Sequence, residues 1–169
     1  HDNDPSPGDV MIVGVHSDNP DAVALVALRD LPKGWVIRIT DNAYVNTSFK
    51  SNEGTLSLSL SNIIPAGTVF GYGGGMLYGS AWHAMSQDQN FDLSVSGDTI
   101  AVCATTERNP DICTVLSAVS VAGDKFGDFP ESVADFSVAL GSLDNYVYSG
   151  ETNGGKEYLQ KYFGKKGTV

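Results

Sequence analysis

Short runs of alternating apolar and polar residues, broken by Gly and Pro about every ten residues, organise this chain. Val10-Met11-Ile12-Val13-Gly14-Val15 is the first, and residues 22–28, 35–39 and 55–60 are the next three. β-branched side chains at a period of two suit a pleated surface with one buried face. Further strands are expected at 68–72, 98–103, 114–121, 137–140 and 145–148. Many short strands with turn signals between them predict an antiparallel sandwich or barrel.

The turns carry their own chemistry. Asp30-Leu31-Pro32-Lys33-Gly34 enters the third strand, and Ile64-Pro65-Ala66-Gly67 enters the strand at 68–72. Pro followed by Gly supplies the backbone angles a tight turn needs. The shared pattern reads as a repeated strand-entry device. Two stretches are irregular. Residues 73–98 hold Gly73-Gly74-Gly75, Tyr78, Trp82 and His83, and residues 122–136 hold Phe126, Phe129 and Phe136. Long loops in a compact domain either carry function or cover a core.

One helix is expected, over 155–164. It places Tyr158, Leu159, Tyr162 and Phe163 on one face, with Gly164 as a C-cap ahead of Lys165 and Lys166. The organisation is a polar arm at 1–9, a β-sandwich at 10–150 and a helix with a basic tail at 151–169. Pro5 and Pro7 bar a helix from the arm, which is expected to be mobile.

With 169 residues the chain is one domain with room for a core. Charged residues make up 18%, and the net charge is −10. Such a surface repels phosphate backbones, so nucleic acid is not an expected partner. The charge suits cations, a basic partner or solubility. No apolar run is long enough to span a bilayer. The first residue is His1, not Met, and the reading is a mature chain whose leader was removed.

Cys103 and Cys113 flank a turn at Asn109-Pro110-Asp111. A hairpin there would bring the thiols together. The expectation is a disulfide and an oxidising compartment; two buried unpaired cysteines are the alternative. Asn46-Thr47-Ser48 is a glycosylation pattern.

Several motifs occur in a recognisable order: Ile39-Thr40-Asp41-Asn42, Asn52-Glu53-Gly54-Thr55, Pro65-Ala66-Gly67-Thr68-Val69, the stretch 91–100 with Ser96-Gly97-Asp98, and Ala139-Leu140-Gly141-Ser142-Leu143-Asp144-Asn145. Together they resemble a module of secreted and surface proteins of cyanobacteria and marine bacteria. That module is in turn similar to the lamin-tail domains. The module usually continues Thr-Asp-Asn into Gly-Trp, where this chain has Ala43-Tyr44. The resemblance implies an immunoglobulin-like sandwich and an extracytoplasmic address: secreted, at the cell surface, or in the thylakoid lumen of an alga. It implies no reaction.

Candidate chemistry is sparse. A free N-terminal His1 with His16 or His83 could brace copper, since imidazole suits that metal. A cleavage site on a loose arm is the blander reading. Asp2, Asp4, Asp9, Asp18 and Asp21, or Asp41 with Asn42 and Glu53, offer oxygen ligands for weak Ca²⁺ binding. Asp and Asn also cap turns with their own backbone, and that reading is preferred for each. No Gly-x-Ser-x-Gly elbow, phosphate loop or marked carboxylate pair is present.

The expectation is therefore a non-catalytic, extracytoplasmic, all-β protein with long loops and one short C-terminal helix, with no cofactor and no resident metal. It would bind or bridge protein partners, a membrane protein complex among them. The sharper version is an accessory subunit on the lumenal face of a photosynthetic membrane complex. The partner surface is placed at Tyr78, Trp82 and His83 of the long loop, where aromatic rings can grip a ligand, and at Tyr158, Tyr162 and Phe163 of the helix. The preferred reading of the loop is that Trp82 and Leu77 plug one end of the sandwich. The contrasting class is a copper- or glycan-active protein using His1.

Overall fold

The computed structural model describes residues 3–16, 21–42, 44–45, 48–49, 54–85, 98–121, 133, 137–139 and 145–147. Twelve strands lie in that part: β1 (Val10–His16), β2 (Ala22–Ala27), β3 (Val36–Thr40), β4 (Tyr44–Val45), β5 (Ser48–Phe49), β6 (Thr55–Ser59), β7 (Val69–Tyr72), β8 (His83–Ala84), β9 (Asp98–Thr105), β10 (Thr114–Val121), β11 (Ser137–Ala139) and β12 (Asn145–Val147). They form a four-stranded sheet, β12-β1-β2-β7, a six-stranded sheet, β11-β10-β9-β3-β6-β8, and the hairpin β4-β5. The expected helix at 155–164 lies outside the described residues.

Pairing is antiparallel throughout, except that β11 runs parallel to β10. The connection over 122–136 has the length that a parallel crossover needs. Strand positions match the alternating pattern closely. The hairpin β4-β5 and the two-residue β8 go beyond it, because such short pieces carry no period of their own.

One core cluster draws on both sheets. Ile12, Leu25 and Phe70 come from the first, and Ile37, Ile39, Ile100 and Leu116 from the second. All seven are fully buried. Each such side chain stabilises the fold by about 1.5–3 kcal/mol relative to exposure. The fold is thus all-β and sandwich-like.

β9 and β10 depart from simple alternation. Ile100, Val102 and Ala104 face the core, yet Ala101, Cys103 and Thr105 on the other face are equally buried. A strand buried on both faces reads as a continuous apolar run, and Ile100-Ala101-Val102-Cys103-Ala104 is one. A bulge between Val115 and Ser117 re-aims β10. At that bulge Leu116 accepts a backbone hydrogen bond from Gly8, 2.8 Å long, which ties the lead-in of β1 to the other sheet.

The two strand-entry turns are partners. Leu31 and Ile64 exchange backbone hydrogen bonds of 2.8 and 3.1 Å. Gly34 (φ +97°) and Gly67 (φ +89°) take left-handed angles, where a side chain would be strained. Asp30 adds a link by accepting the Ala66 N–H at 2.8 Å.

The N-terminal arm is pinned from Asn3 onward, against the expectation of mobility. The Trp35 indole donates to the Asn3 carbonyl at 2.9 Å. Asp9 is fully buried, accepts the Ser6 N–H at 2.8 Å, and lies 3.6 Å from the Arg29 guanidinium. Arg29 also sits over the Trp35 ring at 5.4 Å. The arm's polar residues were legible; their distant partners were not.

Candidate functional site

The segment between β7 and β8 builds the most distinctive surface. Gly73, Gly74 and Gly75 all take left-handed angles. The chain then folds back along β7, with Gly71 donating to Leu77 at 3.2 Å and Gly73 to Gly79 at 2.8 Å. Residues 77–79 thus cap part of an otherwise open sheet edge. Tyr78 is the only described non-glycine residue with positive φ, at 60°. Such a conformation costs about 1–2 kcal/mol in a residue with a Cβ.

Trp82 anchors this segment. Its indole donates to the Gly71 carbonyl at 2.9 Å, and its ring belongs to the core. Gly71 itself permits close approach of β2 and β7: a Cβ there would meet the Val23 carbonyl oxygen at 2.1 Å. Trp82 therefore turns its ring into the core and does not present it to a partner, which corrects its placement on the partner surface; Leu77, its companion in the plug reading, is exposed instead. Beyond it, His83 pairs with Ser57 at the edge of the six-stranded sheet and is exposed.

Between this segment and β6 runs a groove of about 220 Å³, lined by Ser59, Ser61, Asn62, Tyr78 and His83 over Leu58 and Leu60. Tyr78 and His83 thus meet at one site. Ser61 and Asn62 join them without having been singled out. A signal for the groove does exist in the chain: from Gly54 through Gln87 there is no Asp, Glu, Lys or Arg. On a protein of net charge −10, that is a long stretch of chain without a formal charge, reached from outside by the Asp30 carboxylate at Ala66. It also exposes large apolar side chains: Ile63 at 53%, Val69 at 54% and Leu77 at 52%.

The other candidates go elsewhere. Tyr72 is partly buried against the core. Tyr158, Tyr162, Phe163, His1, Asp2, Asp18, Asn46 and Glu53 lie outside the described residues. His16 ends β1 in one sheet, whereas His83 belongs to the other. Asp41 accepts the Gly54 N–H at 2.8 Å, and Asn42 donates to Thr40 and Thr55 at 3.0 Å each. These buried groups close the mouth of the 43–54 loop by turn chemistry. Among the described residues no group of three His, Cys, Asp or Glu is placed to hold a metal.

Cys103 and Cys113 form a disulfide, with Cα atoms 5.4 Å apart. Among the described residues no helix is long and apolar enough to cross a membrane. No protein family matches the chain, no curated protein matches it, and no solved structure matches it. Fold and site together define a sandwich-like all-β protein with an uncharged groove at one sheet edge.

Proposed function

We propose that this is a non-catalytic binding protein that engages a protein partner through the uncharged sector around Tyr78. The carrying observation is the exposure of Ile63, Val69, Leu77 and Tyr78 in a stretch without a formal charge, on a chain of net charge −10. Exposed apolar side chains rimmed by polar groups mark interaction surfaces. The groove supplies what such a surface needs: Tyr78 as a rigid aromatic anchor, with the Ser59 and Ser61 hydroxyls, Asn62 and His83 as polar contacts.

The fold is read as an immunoglobulin-like sandwich and the address as extracytoplasmic. The Cys103–Cys113 disulfide supports an oxidising compartment. The narrower reading, an accessory subunit on the lumenal face of a photosynthetic membrane complex, rests on the sequence resemblance alone.

Paired surface variants test the proposal. Leu77→Asp in the sector should abolish co-purification of the partner from the native source. Ile112→Asp, a still more exposed apolar site in the β9–β10 connection, should leave it intact. Equal retention by both variants, or equal loss, would overturn the assignment of the surface.

A further inference from the structure

The two halves of the Cys103–Cys113 bridge are unequally open to solvent. Cys103 lies in β9 and is 1% exposed, whereas Cys113 stands just before β10 and is half-buried. The chain leading up to it is open as well, since residues 107–112 are all exposed. A thiolate arriving from outside therefore meets the bridge on its Cys113 side, and the sulfur attacked and its access govern such a reaction.

The buried half has a charged neighbour. Ile37 and Ile39 of β3 point into the core, so Arg38 between them lies on the opposite face. Ile100, Val102 and Ala104 of β9 also point into the core, so Cys103 shares that opposite face with Arg38. Register sets Arg38 directly across from Cys103 on one flank, and the neutral Val115 of β10 on the other. Side chains paired in this way have Cβ atoms about 4.5–5.5 Å apart. The Arg38 Nε is shut off from water and has no hydrogen-bond acceptor among the described residues. A neutral disulfide sulfur is a weak acceptor for it, whereas a thiolate in the same place would be an anion beside the guanidinium.

We propose that this bridge is a thiol-exchange site: an external thiolate bonds to Cys113, and Cys103 departs as a thiolate held by Arg38. The new bond joins the incoming sulfur to Cys113 Sγ. The Sγ–Sγ bond breaks, and its electron pair leaves on Cys103 Sγ. The attacking thiol has already given its proton to solvent, so charge and atoms balance. A second thiol then attacks the incoming sulfur, releases Cys113 as a thiolate and forms the external disulfide. Burial alone disfavours a thiolate at Cys103. The guanidinium opposes that penalty, and its attraction strengthens where water is excluded. A stabilised leaving thiolate departs faster, which makes the bridge readily exchanged. The ligand class is a thiol, and the site does not depend on the groove at Tyr78.

Folded protein is incubated with reduced glutathione, quenched with acid at successive times, and alkylated with N-ethylmaleimide in denaturant. The first adduct should carry glutathione on the tryptic peptide 109–125 and maleimide on 51–108. A first adduct on 51–108, equal amounts on both, or no reaction of the folded protein overturns the proposal. After reduction and removal of dithiothreitol, the wild type should show the ultraviolet absorbance of a thiolate at neutral pH. Arg38→Lys should keep part of that signal and Arg38→Gln should lose it, with reduction of the folded bridge slowed about tenfold in Arg38→Gln. A wild type without the thiolate signal, or a folded Arg38→Gln that keeps both signal and rate, overturns the role of Arg38. The wild-type adduct and absorbance decide the question even if Arg38→Gln fails to fold.

Discussion

The indole N–H of Trp35 donates to the backbone carbonyl of Asn3, 2.9 Å away and on the far side of two strands in the chain. With Gly8 bonded to Leu116, this contact fastens the arm at Asn3 and at Gly8. Trp35→Phe keeps most of the buried ring and removes the donor. It should lower stability by about 1–2 kcal/mol in denaturant unfolding. Hydrogen exchange of the Ser6, Gly8 and Asp9 amides should quicken in parallel; unchanged exchange there would show that the indole does not hold the arm.

Asp9 and Arg29 should respond unequally to truncation. Asp9 is fully buried, whereas the Arg29 side chain is 27% exposed. Asp9→Ala removes the acceptor of the Ser6 N–H and the ion pair to Arg29, for a loss of about 2–4 kcal/mol. Arg29→Met keeps the aliphatic cover over Trp35 and leaves Asp9 its bond from the Ser6 N–H, so its loss should be smaller. Thermal unfolding of the two variants side by side tests the order.

Ser117 is a position where the native residue costs stability. Its hydroxyl is fully buried and has no hydrogen-bond partner among the described residues. Ser117→Ala should be neutral or stabilising by up to about 1 kcal/mol. A clear loss of stability would reveal an acceptor that the hydroxyl uses.

Tyr78 sets stability against binding. Replacement by Gly relieves the left-handed backbone at φ 60° and should raise the unfolding free energy by about 1 kcal/mol. The same change deletes the groove's aromatic wall and should abolish partner co-purification. A variant that is both more stable and still bound would remove Tyr78 from the site.

Much of the fold was legible because β1, β2, β3 and β6 obey a period of two on one buried face. β9 was legible as a strand, but its second buried face was not: an apolar run looks alike whether one side or both are covered. β8 is two residues long and exists only because β6 offers it an edge. At the site, Tyr78 and His83 stood out by residue type. Trp82 and Leu77 were read together as a plug, yet only Trp82 is buried, because its indole bonds Gly71 eleven residues away. Arg38 looked like an ordinary polar position in an alternating strand. Only the register lays Cys103 and Ser57 beside it.

The uncharged sector has an enzymological corollary. Trypsin cuts after Lys or Arg, and between Lys50 and Arg108 there is neither. The groove, Trp82 and Cys103 therefore leave a complete digest on one long peptide, residues 51–108. Cys113 falls on the next peptide, residues 109–125, so the disulfide couples the two until a reductant separates them. A single mass measurement before and after reduction thus reports the bridge, and a cross-link from a captured partner would be carried by the same fragment.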